Sequence, residues 1–238
     1  MSNKLYHSLG IDLGGTRIKG VAIDPHGNIL EQRYIPTSDG ADQRWKTGIR
    51  EMVEALKPVI GDNPFVVGIS APGIPSEDNQ SISFMPGRLQ GLEGFSWSDY
   101  LGHRTWVAND AVAAMAAEAR FGEASGLKHA VLLTLGTGVG GAILINGSIY
   151  QGAFQKAGHL GHLSVDHAGE LDICNLPGSL EDAIGNCSIE KRSLGRYLFT
   201  HQLLEDYRRG DPFATWLWLD SVRKLAVLDL QGNKHVWA

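Results

Sequence analysis

The sequence predicts an α/β protein made of two related halves, and three observations lead there. Strand-like and helix-like segments alternate along the chain. A glycine-turned meander near the start, IDLGGTRIKGVAIDPHGNIL, returns later as LTLGTGVGGAILINGSIY, with strand, glycine turn, strand, tight turn and strand in the same order. The 238 residues are 43% hydrophobic and 20% charged, which suits a soluble globular protein of one large or two modest domains. Glycine-bearing meanders can look alike without common origin. Here the Leu-Gly step and the later apolar-turn-Ile steps fall in register, as a duplication would leave them.

The elements follow in order. Leu5–Asp12 and Arg17–Asp24 read as strands about a GGT turn, and Pro25–Asn28 turns the chain into a third, Ile29–Ile35. Asp42–Ile60 reads as a helix, because Trp45, Ile49, Met52, Val53, Leu56 and Ile60 recur at three-to-four spacing. Pro64 precedes a strand, Phe65–Ser70, and a Pro/Gly-rich passage runs from Ala71 to about Gly94. Trp106–Ala108 reads as a short buried strand and the Ala-rich Ala111–Phe121 as a helix. Ala130–Leu135 and Ala142–Ile145 are strands about the GTGVGG turn, and the Asn146-Gly147 hairpin signal returns the chain along Ser148–Gln151. Ser179–Gly185, Ser193–Tyr207 and Pro212–Leu228 read as helices; the tail DLQGNKHVWA shows no clear period.

Composition excludes several functions. The net charge is −5, and no basic block or arm offers a nucleic-acid footprint. Cys174 and Cys187 are too few for a disulfide framework, which points to a reducing compartment. The N-terminus has no signal-peptide core, and no apolar run is long enough to span a membrane. The expectation is a cytoplasmic protein with neither nucleic-acid nor membrane partners.

The glycine turns carry the first chemical signal. Gly136, Gly138 and Gly141 have dinucleotide-motif spacing, but a strand follows instead of a helix and the distal acidic residue is missing. No P-loop signature occurs. A glycine-rich hairpin turn can instead aim successive backbone N–H groups at a phosphate. DLGGT adds the Asp12 carboxylate and the Thr16 hydroxyl beside such a cradle, and Mg²⁺ between Asp12 and phosphate would offset their repulsion. Either turn alone is also an ordinary hairpin; two in equivalent places suggest a nucleotide held across a cleft. The stretch AGHLGH, with two histidines three apart, fits a metal site, a substrate wall or a loop with structural hydrogen bonds only. Asp110, taken alone, reads as a helix N-cap.

DLGGTRIKGVAID, APGIP, VANDAVAAMAAEARFG, LGTGVGGAILINGSIYQGA and AGHLGH stand in the order of the ROK family, and the chain resembles it over about residues 5 to 225. That family comprises sugar kinases and sugar-responsive repressors. The resemblance implies two ribonuclease-H-like (actin-like ATPase) domains flanking a cleft. Residues 1–109 would hold the first phosphate motif and 110–238 the second, with the C-terminal domain incomplete. It implies that Asp12, Gly14, Gly15 and Thr16 meet phosphate, with Asp12 near Mg²⁺, and that Gly136, Thr137, Gly138 and Gly140 form the second phosphate turn. Asn109 and Asp110 would hold the sugar, with Asp110 as general base, which suits a transfer that depends on positioning and charge compensation. His162 would meet the sugar or a structural zinc, and Glu181 the sugar hydroxyls.

Three departures qualify this. Asp172 and Ser179 stand where the family's zinc loop has cysteines, leaving only His162 and Cys174, so structural zinc is not expected. His159 stands where a sugar-binding Glu is usual, and an imidazole offers one acceptor where a carboxylate offers several. The pair of histidines then reads best as the wall of a sugar pocket. Third, the family's closing strand, glycine pair and helix are not found; VLDLQGNKHVWA stands where they would begin, as a premature end would leave it. The expected function is an ATP-dependent kinase of a hexose or amino sugar, forming a homodimer, with activity in doubt for a shortened chain. The alternative is a non-catalytic sugar-binding module, without the N-terminal helix-turn-helix of the family's repressors.

Overall fold

The computed structural model describes residues 6–40, 42–85 and 88–236, with side chains to Leu228. Leu5, the expected start of the first strand, lies outside the described residues, as do Trp237 and Ala238 of the tail. Two compact units form: Met1–Ala130 with Leu144–Ala157, and Val131–Ile143 with Gly158–Ala238. The sequence expectation drew the boundary at 109/110; this division keeps the helix after residue 109 with the first unit.

The first unit holds β1 (His7–Leu13), β2 (Arg17–Ile23), β3 (Ile29–Pro36), α1 (Arg44–Ile60), β4 (Phe65–Ala71), β5 (Ile74–Pro75), β6 (Ile82–Phe84), α2 (Trp97–Leu101), β7 (Thr105–Asn109) and α3 (Asp110–Phe121). Its main sheet runs β3-β2-β1-β4-β7. The meander β1-β2-β3 is antiparallel, whereas β4 and β7 join parallel to β1. Leu9, Ile11 and Leu13 alternate inward on β1, and the periodic face of α1 closes over that side with Trp45, Ile49, Met52, Val53, Leu56 and Ile60.

Helix α1 starts two residues later than the spacing predicts. Gln43 takes a left-handed backbone (φ 54°), and Asp42 stays outside, accepting the Arg44 N–H at 3.2 Å. Helix α2 was not anticipated: five residues leave no periodic record beyond buried Trp97 and Leu101. Trp97 is fixed by aromatic packing instead, 4.8 Å from Phe95 and 5.8 Å from Trp45 between ring centroids.

Next come β8 (Ala130–Leu135), β9 (Val139–Ile145) and β10 (Ser148–Tyr150), in the sheet order β10-β9-β8. The second unit holds α4 (Leu180–Ile184), α5 (Ile189–Arg192), α6 (Thr200–Arg208) and α7 (Pro212–Val236). The single helix expected over Ser193–Tyr207 is instead interrupted. Leu194 and Gly195 both have positive φ (55° and 81°), and the Gly195 N–H closes back on the Glu190 carbonyl. Helix α6 restarts where the Gln202 side chain accepts the N–H groups of Leu198 and Phe199. Helix α7 begins as expected, with Pro212 in its first turn and Asp211 accepting the Ala214 N–H at 2.8 Å. Its backbone then runs past Leu228 to Val236, through most of the tail in which the sequence shows no clear period. Among the described residues, no helix is long and apolar enough to cross a membrane.

Candidate functional site

In the first unit the candidate residues gather at one sheet edge. Strands β1, β4 and β7 are parallel neighbours, with Asp12 in register with Ser70 and Ala71 with Asn109. Asp12, Ser70, Asn109 and Asp110 therefore stand at the C-terminal ends of adjacent parallel strands, where open α/β sheets bind ligands. Ser70 Oγ donates to Asp12 Oδ1 at 3.3 Å, and Lys19, opposite Asp12 on β2, reaches Oδ2 at 3.2 Å. The carboxylate stays 41% exposed, so it fits the neighbour of a hydrated Mg²⁺. The turn of Gly14, Gly15 and Thr16 closes through Gly14 N–H to the Arg17 carbonyl. Thr37 ties it to the end of β3, donating from Oγ1 to the Gly14 carbonyl at 2.7 Å and from its N–H to the Thr16 carbonyl.

The β7–α3 junction separates two roles the sequence left open. Asn109 is the N-cap of α3: its Oδ1 accepts the Ala111 N–H at 3.0 Å, while its Nδ2 donates to the Gly73 carbonyl at 3.1 Å. Capping thus belongs to Asn109, and Asp110 occupies the first helical position. Its exposed carboxylate also meets the Ala111 N–H, through Oδ1 at 2.8 Å.

In the second unit the turn of Gly136, Thr137, Gly138 and Gly140 rests on the end of α4. The Gly136 carbonyl accepts the Asn186 N–H and the Thr137 carbonyl the Cys187 N–H. Glu181, on α4, places Oε2 under the turn, where it accepts the Val139 N–H at 2.8 Å. A Cβ at Gly138 would overlap that oxygen. The turn therefore does direct an N–H at an anion, and Glu181 supplies one from within the unit.

AGHLGH passes along β9. A Cβ at Gly141 would lie 2.6 Å from the Gly158 carbonyl oxygen, and one at Gly161 would overlap the Val139 carbonyl. The two glycines of the stretch thus bring the chain against strand backbone, and His159 and His162 ride on that path. His162 Nδ1 donates to Asp172 Oδ2 at 2.9 Å. Asp172 Oδ1 accepts the N–H groups of Cys174 (2.8 Å) and Leu176 (3.0 Å). Burial opposes the Asp172 charge, but these donors outweigh it and hold the carboxyl below its usual range. His162, Asp172 and Cys174 have donor atoms within 4.8 Å of one another. That is three donors, with Asp172 already satisfied on both oxygens. Ser179, in the remaining cysteine position, is buried and caps α4 by accepting the Asp182 N–H at 3.2 Å. These residues do not fit a closed structural zinc site.

Sequence reasoning missed two features. Asp172 appeared only as a lost ligand, whereas it organises its loop. Arg88 was not singled out at all; its guanidinium lies on Gly15, and its only signal was a lone cation in the Pro/Gly-rich passage.

Comparison with known proteins places the chain. The ROK family model matches residues 8–231. A glucokinase from Streptomyces coelicolor is 32% identical over 177 residues, 73% of this chain and 55% of that protein. An N-acetylmannosamine kinase from Escherichia coli is 30% identical over 232 residues, 93% of this chain and 76% of that protein. A ROK family glucokinase from Streptomyces griseus, solved with glucose and AMPPNP, superposes with a TM-score of 0.72 at 27% identity, covering 93% of this chain and 76% of that one. The chain spans little more than half the length of the Streptomyces coelicolor relative. With its fold, its ordered motifs and a match over nearly its whole length, the chain belongs to the ROK family.

Proposed function

We propose that the protein acts as a sugar kinase, transferring the γ-phosphoryl group of ATP to a hydroxyl of a hexose or amino sugar. The observation that carries the reading is the shared end of the first unit's sheet, where Asp12 stands at the end of β1, the Gly14–Thr16 turn follows it and Asp110 follows β7, the two parallel strands that flank β4. Support also comes from relatives that are glucokinases and N-acetylmannosamine kinases, and from a neighbour solved with glucose and AMPPNP.

Asp110 takes the proton from the sugar hydroxyl as its oxygen bonds to the γ-phosphorus and ADP leaves. Asn109 fixes that carboxylate by capping α3 and anchoring it to Gly73. Asp12, held by Ser70, would hold the Mg²⁺ that accompanies the nucleotide, which would supply charge compensation for phosphate. Within the second unit, the family resemblance assigns the Gly136–Gly140 turn to phosphate and His159, His162 and Glu181 to sugar hydroxyls. A homodimer is the proposed assembly.

The test is sugar-dependent ADP release with glucose, mannose and N-acetylmannosamine. Asp110→Asn is expected to lower kcat by about 10²–10⁴-fold with sugar affinity retained, the range for loss of a general base. Turnover equal to wild type in that variant would remove Asp110 from the mechanism. Sugar binding without ATP binding or ADP release would make the chain a sugar-binding module instead.

A further inference from the structure

We infer that Arg88 is the cation that receives donor phosphate at the first glycine turn. The inference rests on the kinase reading for its biological setting, and on the geometry of the first unit for its chemistry.

The guanidinium of Arg88 lies directly on the backbone of Gly15: a Cβ there would overlap one terminal nitrogen and come within 2.9 Å of the other and of the guanidinium carbon. Glycine at 15 is thus what lets an arginine plane reach this turn. Asp39 holds the arm in place. Its Oδ2 pairs with Arg88 Nε at 3.6 Å, and its Oδ1 accepts the Leu89 N–H at 2.9 Å. Leu89 is 1% exposed and takes a left-handed backbone (φ 50°), so it anchors the residue after Arg88 in the core.

The pairing with Asp39 runs through Nε, and the fork of both terminal nitrogens lies over Gly15. Such a fork matches two phosphate oxygens, in a charge-assisted pair stronger than a neutral hydrogen bond. The side chain is 47% exposed, and it borders an open groove of about 750 Å³ lined by Asp39, Phe84, Met85, Gln90 and Glu93. The guanidinium is therefore reachable from solvent. Arg88 is the cation whose guanidinium stands over the Gly15 backbone.

The test is calorimetric binding of AMPPNP and of inorganic tripolyphosphate to wild type, Arg88→Ala, Arg88→Lys and Asp39→Asn, with sugar binding and thermal melting measured alongside. Arg88→Ala is expected to weaken both phosphate ligands about tenfold or more, the scale of one charge-assisted hydrogen bond. Its sugar affinity and melting should be unchanged. Arg88→Lys recovers part of the loss, and Asp39→Asn loses less than Arg88→Ala. Tripolyphosphate needs no sugar chemistry, so this pattern supports the role of Arg88 even if no sugar is phosphorylated. Affinity of Arg88→Ala within twofold of wild type overturns the role, even if sugar kinase activity is present. Absence of any phosphate binding by wild type overturns it as well.

Discussion

Asp172 is nearly covered, with 3% of its side chain exposed, and it accepts from His162, Cys174 and Leu176. Asp172→Ala leaves these donors without their acceptor and should cost about 1–3 kcal/mol in urea unfolding at neutral pH. The pH dependence has a definite sign. The folded carboxyl titrates below its usual value, so its contribution is full above the unfolded value and fades as pH falls through the lower folded one. The stability gap between wild type and Asp172→Asn should therefore shrink below about pH 4. A gap constant from pH 7 to pH 3 would count against the ionised clamp. Chelator should leave the melting temperature unchanged, and purified protein should lack stoichiometric zinc in elemental analysis. None of these partners was legible in the sequence. Asp172 pairs with a residue ten positions back across an irregular loop, and no period marks such a contact.

Among elements, those with a buried periodic face were the readable ones. Six apolar residues at helical spacing announced α1, and all six are buried. Inward alternation did the same for β1. Local backbone conformation hid the rest. The break between α5 and α6 hangs on Leu194 at φ 55° beside Gly195, and Leu ordinarily favours a helix. The short α4 has its own fastening: Ser179→Ala removes its cap and should cost about 1 kcal/mol in denaturant unfolding. Loss of that cap also loosens Glu181 beneath the glycine turn. At the β7–α3 junction the sequence located the chemistry but not its division, because two adjacent capping residues compete and only geometry shows Asn109 taking the cap.

Across the whole molecule, the internal repeat was visible as text, while the distribution of core was not. Among the described residues, the first unit's large core cluster joins β1, β2, β4, β7, α1 and α2. The second has separate clusters, one around Ile189, Tyr197, Leu203, Ala214 and Leu217, another around Val139, Leu180, Ile184 and Leu228. Local opening is cheaper where apolar burial is divided. Amide hydrogen exchange should therefore be slowest in β1 and β4 and faster in β8 and α6; equal protection would contradict this ranking. The sequence gives no hint of it, since a core's continuity depends on which apolar faces meet.

The hexapeptide AGHLGH keeps two inheritances apart. Its glycines answer to the strand behind them, and any side chain at 161 must displace backbone. Of its histidines, His162 answers to Asp172 at 2.9 Å. Exchanging His159 for Glu alters the chemistry on offer while the chain keeps its path, so the variant should fold as wild type and show a changed ranking in a sugar-binding panel; an unchanged ranking would leave His159 outside recognition. Path and chemistry then rest on different positions of one short stretch.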